Sequence, residues 1–297
     1  MASFFQTIKF YVKSTIFGLL ILVCAFYGVV ASIFLRVIGK PEYSQYTVAR
    51  AFYYSFSTIL GVKIKVNNAK NLSSLPGIFI SNHQSALDIF ILGKIFQPGF
   101  TVTAKKVLKY VPFLGWFMLA SGTFFIDRAK SDKARKVLDE ALAALKKEKR
   151  GVFMFPEGTR SASTNLEMLP FKKGAFHLAN QAKIPVVPIV VSNTSTIFHA
   201  KSKIFNCGEI IIDVLPAVET KDIETKEQLD EMVVQVRSSM LEKLKEIGFS
   251  KTAATVIPPK SPAKLTPEPI NSKSTDEVSE TVEIDVSTEE SPLVAKG

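Results

Sequence analysis

One histidine and one aspartate stand five residues apart where a short apolar segment gives way to a helical pattern. His83 follows the apolar residues 78–80, and Asp88 lies in residues 86–96, whose composition is typical of a helix. A histidine at a strand end can accept a proton near neutral pH, and a carboxylate can hold its second ring nitrogen in one tautomer. Open α/β sheets place their chemistry at such strand ends. The pair is therefore a candidate general base; the alternative is a histidine capping its own helix beside an aspartate bonded to backbone amides.

Further charged residues follow other predicted strands of the chain. They are Lys105 after residues 100–103, Arg128 after residues 123–126, and Glu157, Gly158, Thr159 and Arg160 after residues 151–155. Because the carboxyl ends of parallel strands share one edge of a sheet, these residues can face one pocket with the histidine. Arginine offers two parallel donors to a phosphate, lysine offers a point charge, and a glycine turn lets backbone amides approach an anion. Each cation alone is more typical of a solvated surface, but the set predicts an anion-binding pocket.

The elements that must position these residues alternate between strand and helix over residues 61–250. Residues 62–66 alternate between apolar and basic side chains, which is typical of a half-exposed strand. Further strands are predicted at residues 184–191 and 209–218, and amphipathic helices at residues 134–147 and 226–247. This order predicts one α/β layered domain with a largely parallel central sheet flanked by helices.

The first 60 residues have the composition of a membrane anchor. Residues 14–35 contain no charged side chain, and a bilayer core needs roughly 20 apolar residues in a helix. After a stop at Gly39 and Pro41, residues 43–60 show a second helical pattern. We expect an N-terminal pair of membrane-embedded helices, either spanning the bilayer or forming a hairpin in one leaflet; the alternative is a buried core helix. The apolar segment 111–120 is either core or a second membrane-contacting patch.

The charge of the chain is unevenly distributed. The formal net charge is +10, while residues 251–297 carry five Lys against eight Asp and Glu, so this tail is −3 and the remainder is +13. The tail has no aromatic residue and is rich in Pro, Ser, Thr and Glu, which predicts disorder. A basic body suits phosphate-bearing metabolites, an acidic leaflet or nucleic acid. No aromatic-basic nucleic-acid motif accompanies the charge, so a nucleic-acid partner is not predicted.

The remaining histidines and the cysteines point to no metal site or disulfide. Cys24 and Cys207 are far apart in the sequence, and with only His177 and His199 besides the first histidine there is no metal-ligand spacing. We therefore expect no metal ion, and we expect both of these histidines to be structural or solvated.

Four segments resemble, in order, the sequence blocks of the glycerolipid acyltransferases. They are Asn82-His-Gln-Ser-Ala-Leu-Asp88, Gly122-Thr-Phe-Phe-Ile-Asp-Arg128, Phe155-Pro-Glu-Gly-Thr-Arg-Ser161 and Ile184-Pro-Val-Val-Pro-Ile189. Within that family the sequence is similar to the 1-acyl-sn-glycerol-3-phosphate acyltransferases, especially the fungal ones. This similarity is carried by Thr101-Val-Thr-Ala-Lys-Lys and Leu169-Pro-Phe-Lys-Lys-Gly-Ala-Phe-His-Leu-Ala179.

The resemblance implies an enzyme that transfers a fatty acyl group from acyl-CoA to the sn-2 hydroxyl of lysophosphatidic acid. Acyl-CoA would be a co-substrate, no bound cofactor would be needed, and the enzyme would act at a membrane, by analogy that of the endoplasmic reticulum. The implied roles are general base for His83, orientation of that base for Asp88, acceptor-phosphate binding for Glu157 and Arg160, shaping of the same loop for Gly158 and Thr159, and assistance from Lys105 and Arg128.

Three alternatives stay open at this point. The acceptor could be glycerol-3-phosphate or another lysophospholipid. The chain could also be a lipid-binding protein without catalysis. A covalent Ser85 nucleophile is disfavoured because the sequence lacks the strained Gly-x-Ser-x-Gly turn around it.

Overall fold

The computed structural model describes residues 3–126 and 150–252, without the side chains of Lys105, Phe124 and Ile126. Within these ranges the α-helices are α1 (Phe4–Val37), α2 (Ser44–Leu60), α3 (Asp88–Ile95), α4 (Leu114–Ala120), α5 (Gly174–Ala182) and α6 (Lys226–Ile247). The strands are β1 (Val62–Asn67), β2 (Gly77–Ser81), β3 (Phe100–Lys105), β4 (Phe124–Ile126), β5 (Gly151–Met154), β6 (Val186–Val191), β7 (Phe198–His199), β8 (Ile204–Phe205), β9 (Gly208–Val214) and β10 (Lys251–Thr252). Short 3-10 turns lie at Pro41–Tyr43, Ala69–Ser73, Lys106–Tyr110 and Thr194–Thr196. Arg128, the helix expected at residues 134–147 and the tail from residue 253 lie outside the described residues.

The central sheet has the strand order β1-β9-β6-β2-β5-β3-β4, with β10 added to β9. Strands β6, β2, β5, β3 and β4 run parallel to one another, and β1 runs parallel to β9. Strand β9 pairs antiparallel with β6 and with β10. The predicted α/β domain with a largely parallel sheet is therefore confirmed. In consequence, the carboxyl ends of β2, β5 and β3 meet at one edge.

Helices cover both faces of the sheet, and the alternation along β2 shows how the chain divides its core. Phe79 packs into one apolar cluster with residues of α2 and α3, including Phe56 and Phe90. Its neighbours Ile78 and Ile80 point into a second cluster formed with α5 and α6. All five residues of β2 are buried, because a central parallel strand is covered on both sides. Strand β1 lies at the edge of the sheet and alternates buried and exposed residues, as its sequence predicts.

Among the boundaries that differ from the sequence prediction, two concern the site and one the end of the domain. Helix α3 begins at Asp88 rather than at residue 86, because the backbone amides of Gln84 and Ser85 bond to the Asp88 carboxylate in a turn that precedes the helix. Lys105 is the last residue of β3 and does not lie in a loop after it. At the end of the domain, Lys251–Thr252 pairs with β9, so the domain extends past the predicted boundary at residue 250.

Helix α1 lies along the domain over most of its length. It contacts other elements through Phe10 on Phe198, Phe17 on Phe52 and Phe56, Gly28 on Val48 and Phe117, and Arg36 on the carbonyl oxygen of Ala120. It is also the one helix among the described residues that is long and apolar enough to cross a membrane. Of its most apolar stretch of 18 residues, 28% is buried. The opposite face is exposed and carries Phe4, Phe5, Ile8, Tyr11, Val12, Leu19, Leu22, Val23, Phe26, Tyr27, Val30, Ile33, Phe34 and Val37. Burial on one side only does not agree with the alternative of a fully buried core helix.

The apolar segment 111–120 lies beside the carboxyl-terminal half of α1. Gly115 and Met118 are buried against the domain, whereas Phe113, Trp116 and Leu119 are exposed. The ring of Phe113 contacts Phe26 on α1, with the centroids 6.0 Å apart. This segment therefore continues the exposed apolar surface of α1 and is only partly core.

Candidate active site

The turn that carries His83 is fastened to the carboxyl end of β6 by two buried amide side chains. Asn82 donates to the carbonyl oxygen of Val191 and accepts from its amide, both at 2.9 Å. Gln84 donates to the carbonyl oxygens of Val191 and Ser192 at 3.0 and 3.1 Å and accepts from the amide of Thr194 at 2.9 Å. These bonds satisfy backbone groups at the end of the strand and just beyond it, so an irregular turn keeps a fixed position.

His83 and Asp88 form the contact that the sequence predicted. Nδ1 of His83 lies 2.5 Å from Oδ2 of Asp88, and the same oxygen accepts from the amides of Gln84 at 2.9 Å and Ser85 at 3.1 Å. Asp88 is 4% exposed, whereas the His83 side chain is 18% exposed. Because the carboxylate engages Nδ1, the proton resides there in the neutral ring and Nε2 is left as the basic nitrogen. Asp88 thus both bonds to backbone amides and orients the ring.

Phe155 supports the other side of the imidazole. It follows β5 directly, and its ring is stacked on His83 with the centroids 4.1 Å apart and an interplanar angle of 18°. Phe155 belongs to one of the four family-like blocks of the sequence, but no role at the site was predicted for it. The signal available was its position at the end of the predicted strand 151–155, but ring stacking between residues 72 positions apart is a tertiary property.

Glu157 is buried and connects the histidine turn to the segment around Leu169. Its Oε1 accepts from the amide of His83 at 2.6 Å and its Oε2 from the amide of Leu169 at 2.9 Å, and the residue is 3% exposed. Burial raises the pKa of Glu157, while the two amides and the nearby His83 act in the opposite direction. A buried carboxylate with both oxygens bonded to amides favours positioning of His83 over the direct phosphate contact that the family resemblance implies.

The loop after Glu157 continues along the histidine turn. The amide of Ser161 donates to the carbonyl oxygen of His83 at 2.9 Å, and the amide of Ala162 donates to that of Gln84 at 3.1 Å. Between Glu157 and Ser161, Gly158 has a φ of +72°, a conformation that favours glycine. Thr159 and Arg160 are exposed, and the Arg160 guanidinium has no hydrogen-bond or ion-pair partner within the described ranges. This guanidinium is therefore accessible to a ligand beside the histidine turn.

The structure brings together most of the predicted site residues, namely His83, Asp88, Glu157, Gly158, Thr159 and Arg160. Lys105 ends β3, the strand next to β5, but its side chain is not described, and Arg128 lies in residues 127–149. Their roles stay predictions. No group of three or more His, Cys, Asp or Glu residues placed to hold a metal ion occurs among residues 3–126 and 150–252.

Comparison with known proteins identifies the family of this chain. The Acyltransferase family profile matches residues 63–192, a span that contains all of the predicted site residues. The 1-acyl-sn-glycerol-3-phosphate acyltransferase of Saccharomyces cerevisiae is 51% identical over 253 residues, which cover 85% of this chain and 83% of that protein.

The chain belongs to the 1-acyl-sn-glycerol-3-phosphate acyltransferases.

Other acyltransferases agree with this assignment. An uncharacterized acyltransferase of Schizosaccharomyces pombe is 41% identical over 222 residues, covering 74% of this chain and 79% of that protein. Both relatives are fungal, as the sequence resemblance predicted. The crystal structure of the 1-acyl-sn-glycerophosphate (LPA) acyltransferase PlsC from Thermotoga maritima matches with a TM-score of 0.62 and 25% identity, covering 81% of this chain and 95% of that one.

The other nucleophilic and basic candidates of this acyltransferase lie in local or peripheral contacts. Ser85 Oγ accepts from the amide of Leu87 at 3.1 Å, a local bond within the turn. His199 Nδ1 lies 2.8 Å from Ser202 Oγ, and burial together with the charge of Lys201 lowers the pKa of His199. His177 is exposed on α5. These positions agree with the expectation that both histidines are structural or solvated.

Proposed function

We propose that this acyltransferase transfers a fatty acyl group from acyl-CoA to the sn-2 hydroxyl of 1-acyl-sn-glycerol-3-phosphate, giving phosphatidic acid and free CoA. The family supplies the reaction class and the acceptor. The observation that carries the proposal is the 2.5 Å contact between His83 and buried Asp88, in a turn hydrogen-bonded to the loop that bears Arg160.

The chemistry requires one base and one proton transfer in each direction. Nε2 of His83 takes the proton of the sn-2 hydroxyl while that oxygen attacks the thioester carbonyl carbon. The carbon–sulfur bond then breaks, and the imidazolium returns the proton to the departing thiolate. Asp88 stabilises the imidazolium electrostatically and does not take the proton itself. A placed base contributes roughly 10²–10⁴-fold to such a step.

Thioester chemistry needs no further activation of the acyl group, so we expect no bound cofactor or metal ion, and acyl-CoA acts as a co-substrate. The acceptor is held by its phosphate. Arg160 is the described cation best placed for this, because its guanidinium is exposed and unpaired within the described ranges and can form two parallel hydrogen bonds to a phosphate. Gly158 and Thr159 shape the turn that presents it, and Lys105 and Arg128 are proposed to assist.

We propose further that the enzyme sits in one leaflet of a membrane. Helix α1 has 34 residues and is about 51 Å long at 1.5 Å per residue, so it could reach across a bilayer. Contacts near both of its ends, at Phe10 and Arg36, hold it against the α/β domain. A crossing would therefore carry polar surface of the domain into hydrocarbon. An in-plane helix with its exposed apolar face in the lipid avoids this cost, and Trp116 then lies at the interface. The endoplasmic reticulum is expected by family analogy.

The acceptor is tested by measuring release of CoA thiol from one acyl-CoA with a panel of acceptors in detergent. We expect release that depends on 1-acyl-sn-glycerol-3-phosphate, with far less from glycerol-3-phosphate or lysophosphatidylcholine. Preferred turnover of either other acceptor would overturn the substrate assignment while leaving the acyl transfer intact. Transfer of lipid between vesicles without thiol release would instead support a non-catalytic lipid-binding protein.

A further inference from the structure

A second segment of the chain reaches the active-site turn and has no role in the reaction described above. It is the segment Phe171-Lys172-Lys173-Gly174 that precedes α5. The amide of Lys172 donates to the carbonyl oxygen of Pro156 at 2.8 Å, and nearby the amide of Leu169 donates to Glu157. This segment is therefore hydrogen-bonded to the same turn that holds the backbone of His83.

The side chain of Lys172 lies directly over Gly158. A Cβ atom built on Gly158 would come within 3.0 Å of Cδ and Cε of Lys172 and 3.1 Å of its Nζ. The ammonium group of Lys172 is thus at the turn itself, beside Gly158, which lies two residues before Arg160 in the sequence. Glycine at position 158 serves two purposes, since it allows the positive φ and leaves room for the lysine.

The two adjacent lysines differ in how their charges are balanced. Lys173 forms an ion pair with Asp230, with Nζ 2.6 Å from Oδ1. Lys172 is exposed, and its ammonium group has no hydrogen-bond or ion-pair partner in the described parts of the chain. The acidic residue of the same turn, Glu157, is buried with both oxygens bonded to amides, so it forms no ion pair with Lys172. Two unpaired cations, Lys172 and Arg160, therefore stand at one turn.

We propose that Lys172 is a second cation that binds a substrate phosphate together with Arg160. The inference rests on the proposed function, which places the acceptor phosphate at this turn. A phosphomonoester carries up to two negative charges, which one guanidinium does not balance, and a flexible ammonium beside a planar guanidinium can bind the remaining oxygen. The acceptor and acyl-CoA both carry such phosphates, so the experiment must distinguish the two sources.

The test compares KM values for both substrates in Lys172→Gln, Lys172→Arg, Arg160→Gln and the matched control Lys173→Gln. Loss of one charged hydrogen bond is expected to raise KM by roughly tenfold or more. For Lys172→Gln we expect this rise in the KM for 1-acyl-sn-glycerol-3-phosphate, with kcat and the KM for acyl-CoA little changed. Lys172→Arg should restore most of the affinity because it keeps the charge, and Lys173→Gln should leave both KM values unchanged.

Each outcome bears on one part of the account. A rise in the KM for acyl-CoA alone would keep the phosphate site and assign it to the donor. If Arg160→Gln raises the acceptor KM and Lys172→Gln changes neither KM, the inference is overturned and the proposed function stands. If Arg160→Gln also has no effect, the placement of the acceptor phosphate at this turn fails as well. Because Lys172 is exposed, circular dichroism should show unchanged folding for its variants.

Discussion

At the level of single residues, the site depends on two carboxylates that sit in different surroundings. Oδ2 of Asp88 accepts from the imidazole and two amides, so its charge faces the ring that becomes cationic in the reaction. Glu157 is buried and bonds only to backbone amides in the described contacts, so its two hydrogen bonds fix the position of the histidine turn. One carboxylate therefore orients the base and the other holds the turn that carries it.

The raised pKa of Glu157 gives a pH dependence of stability. A carboxylate with a raised folded-state pKa contributes most to stability below its unfolded pKa of about 4.3, and the contribution is lost as the pH rises through the folded-state pKa. We expect the Tm of the wild-type protein, relative to that of Glu157→Gln, to fall as the pH is raised from about 4 to about 7. Thermal unfolding followed by circular dichroism in detergent measures this difference.

The exposed Glu167 provides the matched control for that experiment. Glu167→Gln should give a Tm difference from wild type that hardly changes over the same pH range. If the difference for Glu157→Gln is constant or increases with pH, then burial does not dominate the environment of that carboxylate.

At the level of elements, the histidine turn depends on β6 as much as on its own strand and helix. Gln84 makes three hydrogen bonds of 3.1 Å or less to the backbone at and just beyond the carboxyl end of β6 and is 7% exposed. Replacing it with alanine leaves the amide of Thr194 and the carbonyl oxygen of Ser192 without these bonds, while the carbonyl oxygen of Val191 keeps its bond to Asn82. Each unsatisfied buried group costs about 1–3 kcal/mol. We therefore expect Gln84→Ala to lower the free energy of unfolding by at least about 1 kcal/mol and to lower kcat more than it raises KM.

Chemical unfolding and steady-state kinetics, measured on the same preparations, test this prediction. Gln235→Ala on the exposed side of α6 is the matched control, and surface changes of this kind stay within about 0.5 kcal/mol. Equal stability and kcat for Gln84→Ala and wild type would show that the turn does not need its attachment to β6.

The elements themselves are largely readable from the sequence, because local patterns determine them. Helix α6 has the predicted bounds Lys226–Ile247, and its start is marked by a capping box between Thr225 and Gln228. Strand β9 ends at Val214, four residues earlier than predicted, because Pro216 soon removes a backbone donor. The placement of His83 after β2 also follows from pattern alone.

The contacts between distant segments are what the sequence does not contain. Glu157 bonds to an amide 74 residues away, and Gln84 to a carbonyl oxygen 107 residues away. Such partners depend on the strand order β6-β2-β5, which no local pattern specifies. The sequence therefore indicated most of the residues that the structure brings together, but it did not show the stacking of Phe155 on His83 and could not separate a phosphate ligand from a positioning residue.

At the level of the whole molecule, the exposed face of α1 and the segment 111–120 form one apolar surface on the α/β domain. We expect the double substitution Val23→Glu with Val30→Glu, both on the exposed face of α1, to weaken binding to phospholipid vesicles by at least roughly tenfold, because charge is costly in the hydrocarbon region. Activity in detergent should be retained because these side chains point away from the domain. Vesicle co-sedimentation and thiol release measure the two properties.

Val234 is an equally exposed valine on α6, in the layer across the sheet from α2 and α3. Val234→Glu should bind vesicles like the wild type. If the α1 variant and this control bind equally well, the apolar face of α1 is not the membrane-binding surface.

The proposed reaction depends on His83 as its general base. The most direct measurement is the release of CoA thiol from acyl-CoA in the presence of 1-acyl-sn-glycerol-3-phosphate, for wild type, His83→Ala and the exposed control His177→Ala. We predict that His83→Ala loses turnover by roughly 10²-fold or more while its circular dichroism spectrum and melting are unchanged, and that His177→Ala keeps wild-type turnover. Thiol release by folded His83→Ala at the wild-type rate would contradict the account.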